Sequence, residues 1–228
     1  MKPHVDAAFK KWLGTDLAAV QQRGFRLPTV RRAVNGGWVV QGWGAQSVVP
    51  GLTAQERAAD WRSIIHASRL LHGATAHLAR PALLDVRTDP WAWADRAAWG
   101  EVPRDVQPEL HEVVMRLYTA VSPLGPAQLV HGDLTNNVLL VPGEPPSIID
   151  FSPYWRPPSY ADGIIVADAL CWHAAPPEIL GEADVPIAAV ARGLLFRVLT
   201  ASRAHRRGSA NLLEEAQRYR SVVAALDL

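Results

Sequence analysis

A segment of short, mostly apolar runs separated by polar turns constrains this fold more than any other feature. It covers residues 129–152, LVHGDLTNNVLLVPGEPPSIIDFS. The runs predict three short strands, because each is bounded by polar, glycine or proline residues that favour turns. The predicted strands cover residues 128–130, 138–141 and 147–149. An antiparallel pairing of the last two would bring the side chains of Asp133, Asn137 and Asp150 into one crevice.

These three side chains are of the types that phosphoryl transfer to a hydroxyl group requires. One carboxylate accepts the hydroxyl proton, while a second carboxylate and a neutral amide oxygen hold Mg²⁺ against the nucleotide phosphates. The alternative is purely structural, since His-Gly-Asp is a common turn and Asp or Asn after a strand often caps backbone N–H groups. The combination of HGD, a following asparagine and IIDF between apolar strands favours the catalytic interpretation.

The segments HGDLTNNVLL and IIDF resemble the catalytic loop and the metal-binding segment of the aminoglycoside phosphotransferase and choline kinase-like family, relatives of the protein kinases. The resemblance implies that Asp133 is the catalytic base and that Asn137 and Asp150 are the metal ligands. It also implies that His131 is a scaffold residue beneath the loop.

The loop departs from the kinase pattern in its length. Kinases have four residues between the base and the asparagine, whereas only three separate Asp133 from Asn137. The adjacent Asn136 is the other candidate for the metal ligand. We prefer Asn137, because the family's asparagine directly precedes the apolar strand, as Asn137 precedes Val138.

The resemblance implies an α+β, protein kinase-like two-lobed fold with a reduced small β lobe and a mostly helical large lobe. The small lobe is expected over residues 1–51, as a truncated N-terminal lobe with a helix and about three strands. The catalytic lobe is expected over residues 52–228. The family's hinge would fall at Val48 and Val49, whose backbone groups would meet the adenine ring of a nucleotide.

Local patterns place the elements of the small lobe. Apolar residues at helical spacing predict a helix or helical hairpin over residues 5–22. An Asn-Gly turn between residues 30–34 and 38–41 predicts a β-hairpin, because asparagine and glycine tolerate the positive φ of a tight turn. A third strand is expected at residues 45–49.

Family members also carry a phosphate-covering glycine-rich loop and a strand lysine that contacts the nucleotide phosphates. This sequence has no GxGxxG, and its three lysines stand at positions 2, 10 and 11, in or before the first predicted helix. Arg31 or Arg32 would be the substitutes on the first strand. The resemblance implies Mg²⁺ as the cofactor and ATP as the co-substrate. The missing loop and strand lysine imply that ATP binds weakly.

Three acidic residues of the large lobe are candidates for two roles. Asp162, near the start of a predicted helix, resembles the family's scaffold aspartate that hydrogen-bonds the catalytic-loop backbone. Asp162, Asp168 and Glu101 together would favour a cationic acceptor. The residues do not otherwise distinguish an aminoglycoside from a sugar, choline or a nucleoside analogue as the substrate.

Composition excludes several other classes of protein. The net charge of +1 argues against a nucleic-acid binder, and no run of about 18 apolar residues predicts a membrane span. The single Cys171 excludes an internal disulfide framework. His66, His72 and His77 do not match the HExxH spacing of a zinc site, so satisfied or exposed side chains are expected there. A cytoplasmic location is expected.

Two functional hypotheses follow from these patterns. The first is an ATP-dependent enzyme that transfers a phosphoryl group to a hydroxyl of a small-molecule substrate. The second is a catalytically weak or inactive pseudo-phosphotransferase that keeps the fold as a binding module, because the phosphate-gripping lysine and loop are missing.

Overall fold

The structure is a computed structural model, and it describes residues 6–53, 60–205 and 207–228. The chain divides into two compact units. The first consists of the residues up to Val86 together with Gln128–Trp155, and the second consists of Arg87–Ala127 and Arg156–Leu228. The boundary predicted at residue 51 falls within the first unit, and the division into lobes at that position stays a prediction.

The first unit opens with helix α1, Ala7–Thr15, followed by a short 3₁₀ turn at Leu17–Ala19. The side chain of Asp6 accepts a hydrogen bond from the Phe9 N–H at 2.7 Å, as an N-cap does. The helical pattern predicted for residues 5–22 is therefore one helix and a separate turn.

A three-stranded antiparallel sheet follows, and its strand order is β1-β3-β2. The strands are β1 Val30–Arg31, β2 Val39–Val40 and β3 Trp43–Gln46. The predicted pairing of residues 30–34 with 38–41 is wrong, because β1 and β2 each pair with β3. The Asn-Gly turn does form, with the Gly37 N–H donating to the Asn35 side chain at 3.0 Å.

The hairpin turn lies instead between β2 and β3. Gln41 and Gly42 both have positive φ, 49° and 79°, and Val40 pairs with Trp43 across them. Two successive positive φ angles are what a two-residue type I′ turn requires. A Gln-Gly pair is a weaker sequence signal for such a turn than an Asn-Gly pair. The sequence therefore predicted the hairpin turn at Asn35-Gly36 instead.

The remaining elements of the first unit are one helix and the strands on either side of the HGD segment. Helix α2 spans Trp61–Thr75, and the Asp60 side chain caps it by accepting from the Ser63 N–H at 3.1 Å. Four short strands follow later in the chain: β4 Gln128–His131, β5 Val138–Leu139, β6 Ser147–Ile148 and β7 Pro153–Arg156. β4 pairs with β7, and β5 pairs with β6 in the predicted antiparallel arrangement.

The second unit is helical. Its helices are α3 Pro90–Ala98, α4 Pro108–Ala120, α5 Pro158–Trp172, α6 Ile179–Ala183, α7 Ile187–Ala204 and α8 Ala210–Ala225. Helix α5 is buried along almost its whole length. The backbones of α5 and α7 are in close contact. A Cβ atom on Gly193 would lie 2.6 Å from the Gly163 carbonyl oxygen, so only glycine fits there. Within the described parts of the chain, no helix is both long enough and apolar enough to cross a membrane.

Candidate active site

His131 is buried at the end of β4 and joins the two halves of the polar loop region. Its Nδ1 accepts the Asp133 N–H at 3.1 Å, and its Nε2 lies 3.0 Å from the Ile149 carbonyl oxygen. Because a backbone N–H can only donate, Nδ1 is unprotonated and Nε2 carries the proton that Ile149 accepts. Burial lowers the pKa of His131 to about 4, so the imidazole is neutral. One side chain thus bonds both Asp133 and the residue before Asp150.

Asn137 contacts Asp133 across the short loop. The Asn137 Nδ2 donates to the Asp133 carbonyl oxygen at 2.7 Å and lies 3.3 Å from its Oδ2. The Asn137 N–H donates to the Leu134 carbonyl oxygen at 3.0 Å and closes the turn. Asn136 is exposed. The shortened loop therefore brings Asn137, rather than its neighbour, onto the proposed base.

Asp150 follows β6 and lies beside the same loop. The Ile149 N–H donates to the Asn137 carbonyl oxygen at 2.9 Å, continuing the ladder in which Val138 pairs with Ile148. Asp150 is exposed and has a φ of 46°, in the left-handed region. Aspartate tolerates this region better than most residues, and such backbone outliers cluster at functional sites. The hairpin thus places Asp150 directly after a residue that bonds the Asn137 backbone, and the meeting of the three side chains in one crevice stays a prediction.

Aromatic rings fix the segment after Asp150. The Phe151 ring centroid lies 5.0 Å from that of His131 and 5.8 Å from that of Trp12 on α1. Trp12 in turn stacks on Phe9 at 6.2 Å. Helix α1 is therefore packed against the residue that follows the proposed metal ligand.

Gly132 allows the loop to leave β4 beside a buried aromatic ring. A Cβ atom at this position would lie 2.5 Å from the ring of Tyr154 on β7. Real Cβ atoms do not approach carbon that closely, so only glycine fits without a shift of the ring. The spacing of histidine, glycine and aspartate in this motif thus has a steric reason.

Gly132→Ala is expected to lower the free energy of unfolding by about 1–3 kcal/mol, the usual cost of overpacking. Urea denaturation of the variant and the parent measures this difference. Gly73→Ala on α2 is the matched control, because a Cβ atom there meets no atom within 4 Å, and it should be neutral or stabilising. A Gly132→Ala protein as stable as its parent would contradict the steric account.

The predicted hinge lies close in the chain to a bridge with β5. The Val48 side chain is 96% exposed, and Val49 is half-buried. Leu52 pairs with Leu140, with N–H to oxygen bonds of 3.2 and 3.1 Å in the two directions. The segment after the hinge is thus bonded to the strand that begins directly after Asn137. The contact of Val48 and Val49 with adenine stays a prediction.

Lys10 is buried on the first helix. It lies on α1, as expected, but it is only 4% exposed, and its Nζ donates to the Gln46 Oε1 on β3 at 3.0 Å. Arg31 and Arg32 are exposed, and the Arg32 guanidinium lies 4.3 Å over the Trp38 ring. Lysine is rarely buried without a partner. Of these three cations, Lys10 is the one held inside the first unit.

Two of the three acidic residues expected to attract a cationic acceptor bind arginines. Arg197 donates to both carboxylate oxygens of Asp168, at 2.7 and 2.6 Å. Arg156 donates to Glu101 at 2.5 Å. Asp168 is therefore paired with one guanidinium, whereas Glu101 shares Arg156 with Asp95, so that cluster holds two carboxylates and one guanidinium. The preference for a cationic acceptor stays a prediction. Asp162 is buried on α5, and its scaffold role stays a prediction.

The donor set of the loop fits a magnesium ion. Asn137 uses its Nδ2 toward Asp133, so its Oδ1 is the atom that would ligate a cation, together with the Asp150 carboxylate. Among the described residues, no group of three or more His, Cys, Asp or Glu side chains could hold a metal. Mg²⁺ is usually bound by one or two carboxylates plus phosphate oxygens, so it does not need such a group.

His72 is the residue of this region that sequence reasoning did not connect to the site. It was expected to be a satisfied or exposed histidine, and it is satisfied: its ring bonds Ser68 and the backbone of His131. The available signal was the spacing of Ser68 and His72, four residues apart on the face of α2 that also carries Ile65. Spacing alone could not show that this face meets the HGD strand.

Comparison with known proteins identifies the family of the chain. The model of the phosphotransferase enzyme family APH matches residues 16–184. A solved structure of a microcompartment-associated aminopropanol kinase is 19% identical, with a TM-score of 0.61, and the match covers 99% of this chain and 80% of that chain. No curated protein sequence matches the chain.

Two further solved structures are of the aminoglycoside phosphotransferase APH(4)-Ia. The apo form of a thermostable mutant is 16% identical, with a TM-score of 0.57, and the match covers 97% of this chain and 85% of that chain. A ternary complex with AMP-PNP and hygromycin B is 15% identical, with a TM-score of 0.58 and coverage of 97% and 84%. These similarities confirm the predicted α+β fold of the protein kinase-like type.

Proposed function

Because the chain belongs to the APH family of phosphotransferase enzymes, we propose that it transfers the γ-phosphoryl group of ATP to a hydroxyl group of a small molecule. The observation that carries this proposal is the contact of Asn137 with Asp133 at the start of β5, beside the hairpin that ends in Asp150. These are the base and the two oxygen ligands that the reaction uses.

Asp133 is the base of the proposed reaction. The hydroxyl oxygen of the acceptor forms a bond to the γ-phosphorus as the bond to the β–γ bridging oxygen breaks, and ADP leaves with that oxygen. The hydroxyl proton passes to the Asp133 carboxylate. Asn137 orients this carboxylate through its Nδ2, and His131 holds the Asp133 backbone. The residues thus position the acceptor, which supplies much of the rate enhancement in phosphoryl transfer.

Asn137 and Asp150 would hold Mg²⁺. A Mg²⁺ ion held there would supply positive charge that neutralises the charge on the transferring phosphate. The exposed position of Asp150 suits a ligand that meets a metal–nucleotide complex arriving from solvent.

Asp150→Asn is expected to weaken the binding of magnesium-ATP by about 10-fold or more, because a charge-assisted contact is typically worth about 1.5–3 kcal/mol. Asparagine also tolerates the left-handed backbone at this position, so the turn is preserved. Isothermal titration calorimetry gives the affinities. Asp85→Asn is the control, since Asp85 is an exposed carboxylate that pairs with Arg80 at 2.5 Å. Equal affinities for the Asp150 variant and the parent would remove the metal role from Asp150.

Val48 and Val49 would contact the adenine, and the γ-phosphate would then face the loop. AMP-PNP in the ternary complex of the similar phosphotransferase supports ATP as the co-substrate. For the phosphates we rank Lys10 ahead of Arg31 and Arg32, because it is fixed by Gln46 whereas both arginines are exposed. Binding weaker than in family members with a strand lysine is expected.

The acceptor is proposed to be a small hydroxylated molecule, and two of the similar structures guide its choice. One similar structure is an aminopropanol kinase, and another binds hygromycin B. Amino alcohols and aminoglycosides are therefore the first acceptors to test.

The second candidate function is the inactive pseudo-phosphotransferase. The observation that favours it is that no strand in the described parts of the chain carries a lysine. A protein of this kind would bind adenosine about as well as magnesium-ATP, and it would phosphorylate no acceptor. The enzyme proposal predicts a product with at least one acceptor class.

A further inference from the structure

His72 lies on α2, outside the loop of the proposed chemistry, yet it bonds both ends of the strand that leads into it. Its side chain is 2% exposed. Its Nε2 accepts the His131 N–H at 3.0 Å, at the last residue of β4. Its carbonyl oxygen accepts from the Gln128 Nε2 at 2.6 Å, at the first residue of β4. One residue of the helix therefore fixes β4 along its length.

The direction of these bonds determines where the ring proton lies. Because Nε2 accepts a backbone N–H, it carries no proton, and the neutral ring is protonated on Nδ1. That proton points to the Ser68 Oγ, 3.2 Å away. His131 has the opposite tautomer, since its Nδ1 accepts from Asp133 and its Nε2 donates to Ile149.

The two imidazoles form a continuous path from α2 to the proposed catalytic groups. Four hydrogen bonds connect Ser68 to His72, His72 to His131, and His131 to both Asp133 and Ile149. Burial and the nearby His131 lower the pKa of His72 to about 3, so the ring remains an acceptor at neutral pH. The path ends one residue before Asp150.

We propose that His72 is a positioning residue for phosphoryl transfer, which accepts the His131 N–H and so holds the backbone that carries Asp133. The reaction named here rests on the proposed function. The positioning role of His72 rests on its hydrogen bonds to β4. A residue that only stabilises the fold would change the melting temperature. A positioning residue also changes the order of the Asp133 backbone in protein that remains folded.

The first test needs no mutation and no substrate. Heteronuclear NMR of the ring nitrogens reports which one is protonated in each histidine. The proposal expects a proton on Nδ1 of His72 and on Nε2 of His131. A proton on Nε2 of His72 would remove the acceptor and overturn the proposal.

The second test compares variants of α2 under conditions where each remains folded. His72→Leu has no acceptor, His72→Gln offers an amide oxygen in place of Nε2, and His66→Gln is the matched control at an exposed position of the same helix. Amide hydrogen exchange at His131, whose N–H loses its acceptor, and at Asp133 in the backbone it holds is expected to accelerate about 10-fold or more in His72→Leu, the scale for an unsatisfied buried N–H. His72→Gln should recover most of the protection. Unchanged exchange in His72→Leu would overturn the proposal.

The third test is kinetic and separates this proposal from the proposed function. With an acceptor that the parent phosphorylates, His72→Leu should lose about 10-fold or more in kcat with little change in KM, and His72→Gln should recover it. An equal kcat in the leucine variant overturns positioning. A parent that phosphorylates no acceptor overturns the proposed function, and hydrogen exchange then decides the role of His72 alone. If His72→Leu does not fold, His72→Asn replaces it, because its amide is too short to reach His131.

Discussion

Asp133→Asn is expected to reduce phosphoryl transfer by about 100-fold or more, the usual scale for the loss of a general base. Asparagine has the size of aspartate and can keep the backbone bonds of the loop, so the fold should be intact. It cannot take the hydroxyl proton of the acceptor. Steady-state measurement of kcat with saturating magnesium-ATP and acceptor tests this, and the melting temperature checks the fold.

Asn136→Ala is the matched control for this variant. Asn136 lies in the same loop but is exposed, whereas Asn137 bonds Asp133. Its replacement should leave kcat within a small factor of the parent. Full turnover in Asp133→Asn would show that another group accepts the proton. A large loss in Asn136→Ala would return the metal role to that asparagine.

Acid is expected to destabilise the first unit strongly, because two buried histidines resist protonation. Burial lowers the pKa of His72 to about 3 and that of His131 to about 4, from an ordinary value of 6.5. Between about pH 6.5 and about pH 4 the unfolded chain therefore binds more protons than the folded one. The free energy of unfolding is highest above pH 6.5 and falls with pH by up to about 1.4 kcal/mol per unit for each histidine. The loss should reach several kcal/mol.

Urea denaturation at pH 7 and at pH 4.5 measures this loss. His72→Gln removes one of the two groups, so its loss over the same range should be smaller by about 2–3 kcal/mol. His66→Gln, on the exposed face of α2, should lose as much as the parent. A parent whose stability is unchanged by acid would contradict the neutral, buried assignment of both rings.

The sequence predicted the loop region well because the signals there are local. Short apolar runs bounded by Pro-Gly and polar turns predicted the antiparallel pairing of β5 with β6, and this pairing brings Asn137 and Asp150 together. The choice of Asn137 over Asn136 followed from its position directly before the strand. In the structure Asn137 bonds Asp133 whereas Asn136 is exposed, and the metal role of Asn137 stays a prediction.

The features that the sequence did not predict have a common physical cause. Each depends on contacts between residues that are distant in sequence. β1 pairs with β3, where Val30 lies opposite Gln46, rather than with β2. Lys10 is buried because α1 packs near Gln46, 36 positions later in the chain. Asp168 forms an ion pair with Arg197, which lies on another helix. None of these partners could be identified from local pattern alone.

His72 shows the same limit at the site itself. The sequence predicted a satisfied or exposed side chain, but it could not identify the partner His131, which lies 59 residues later. Likewise, nothing in the residues near Asp150 predicted its positive φ. Both features arise from the way β4 and the β5–β6 hairpin are held against the rest of the first unit.

The most direct test of the account follows the γ-phosphoryl group itself. The protein is incubated with γ-labelled ATP, Mg²⁺ and a panel of amino alcohols and aminoglycosides, and the products are separated with Asp133→Asn in parallel. We predict that the parent moves the label from ATP to a hydroxyl of at least one acceptor, forming one ADP for each phosphate ester, and that the variant does so about 100-fold more slowly or less. Label that stays in ATP with every acceptor, or an ester formed equally fast by the variant, would contradict it.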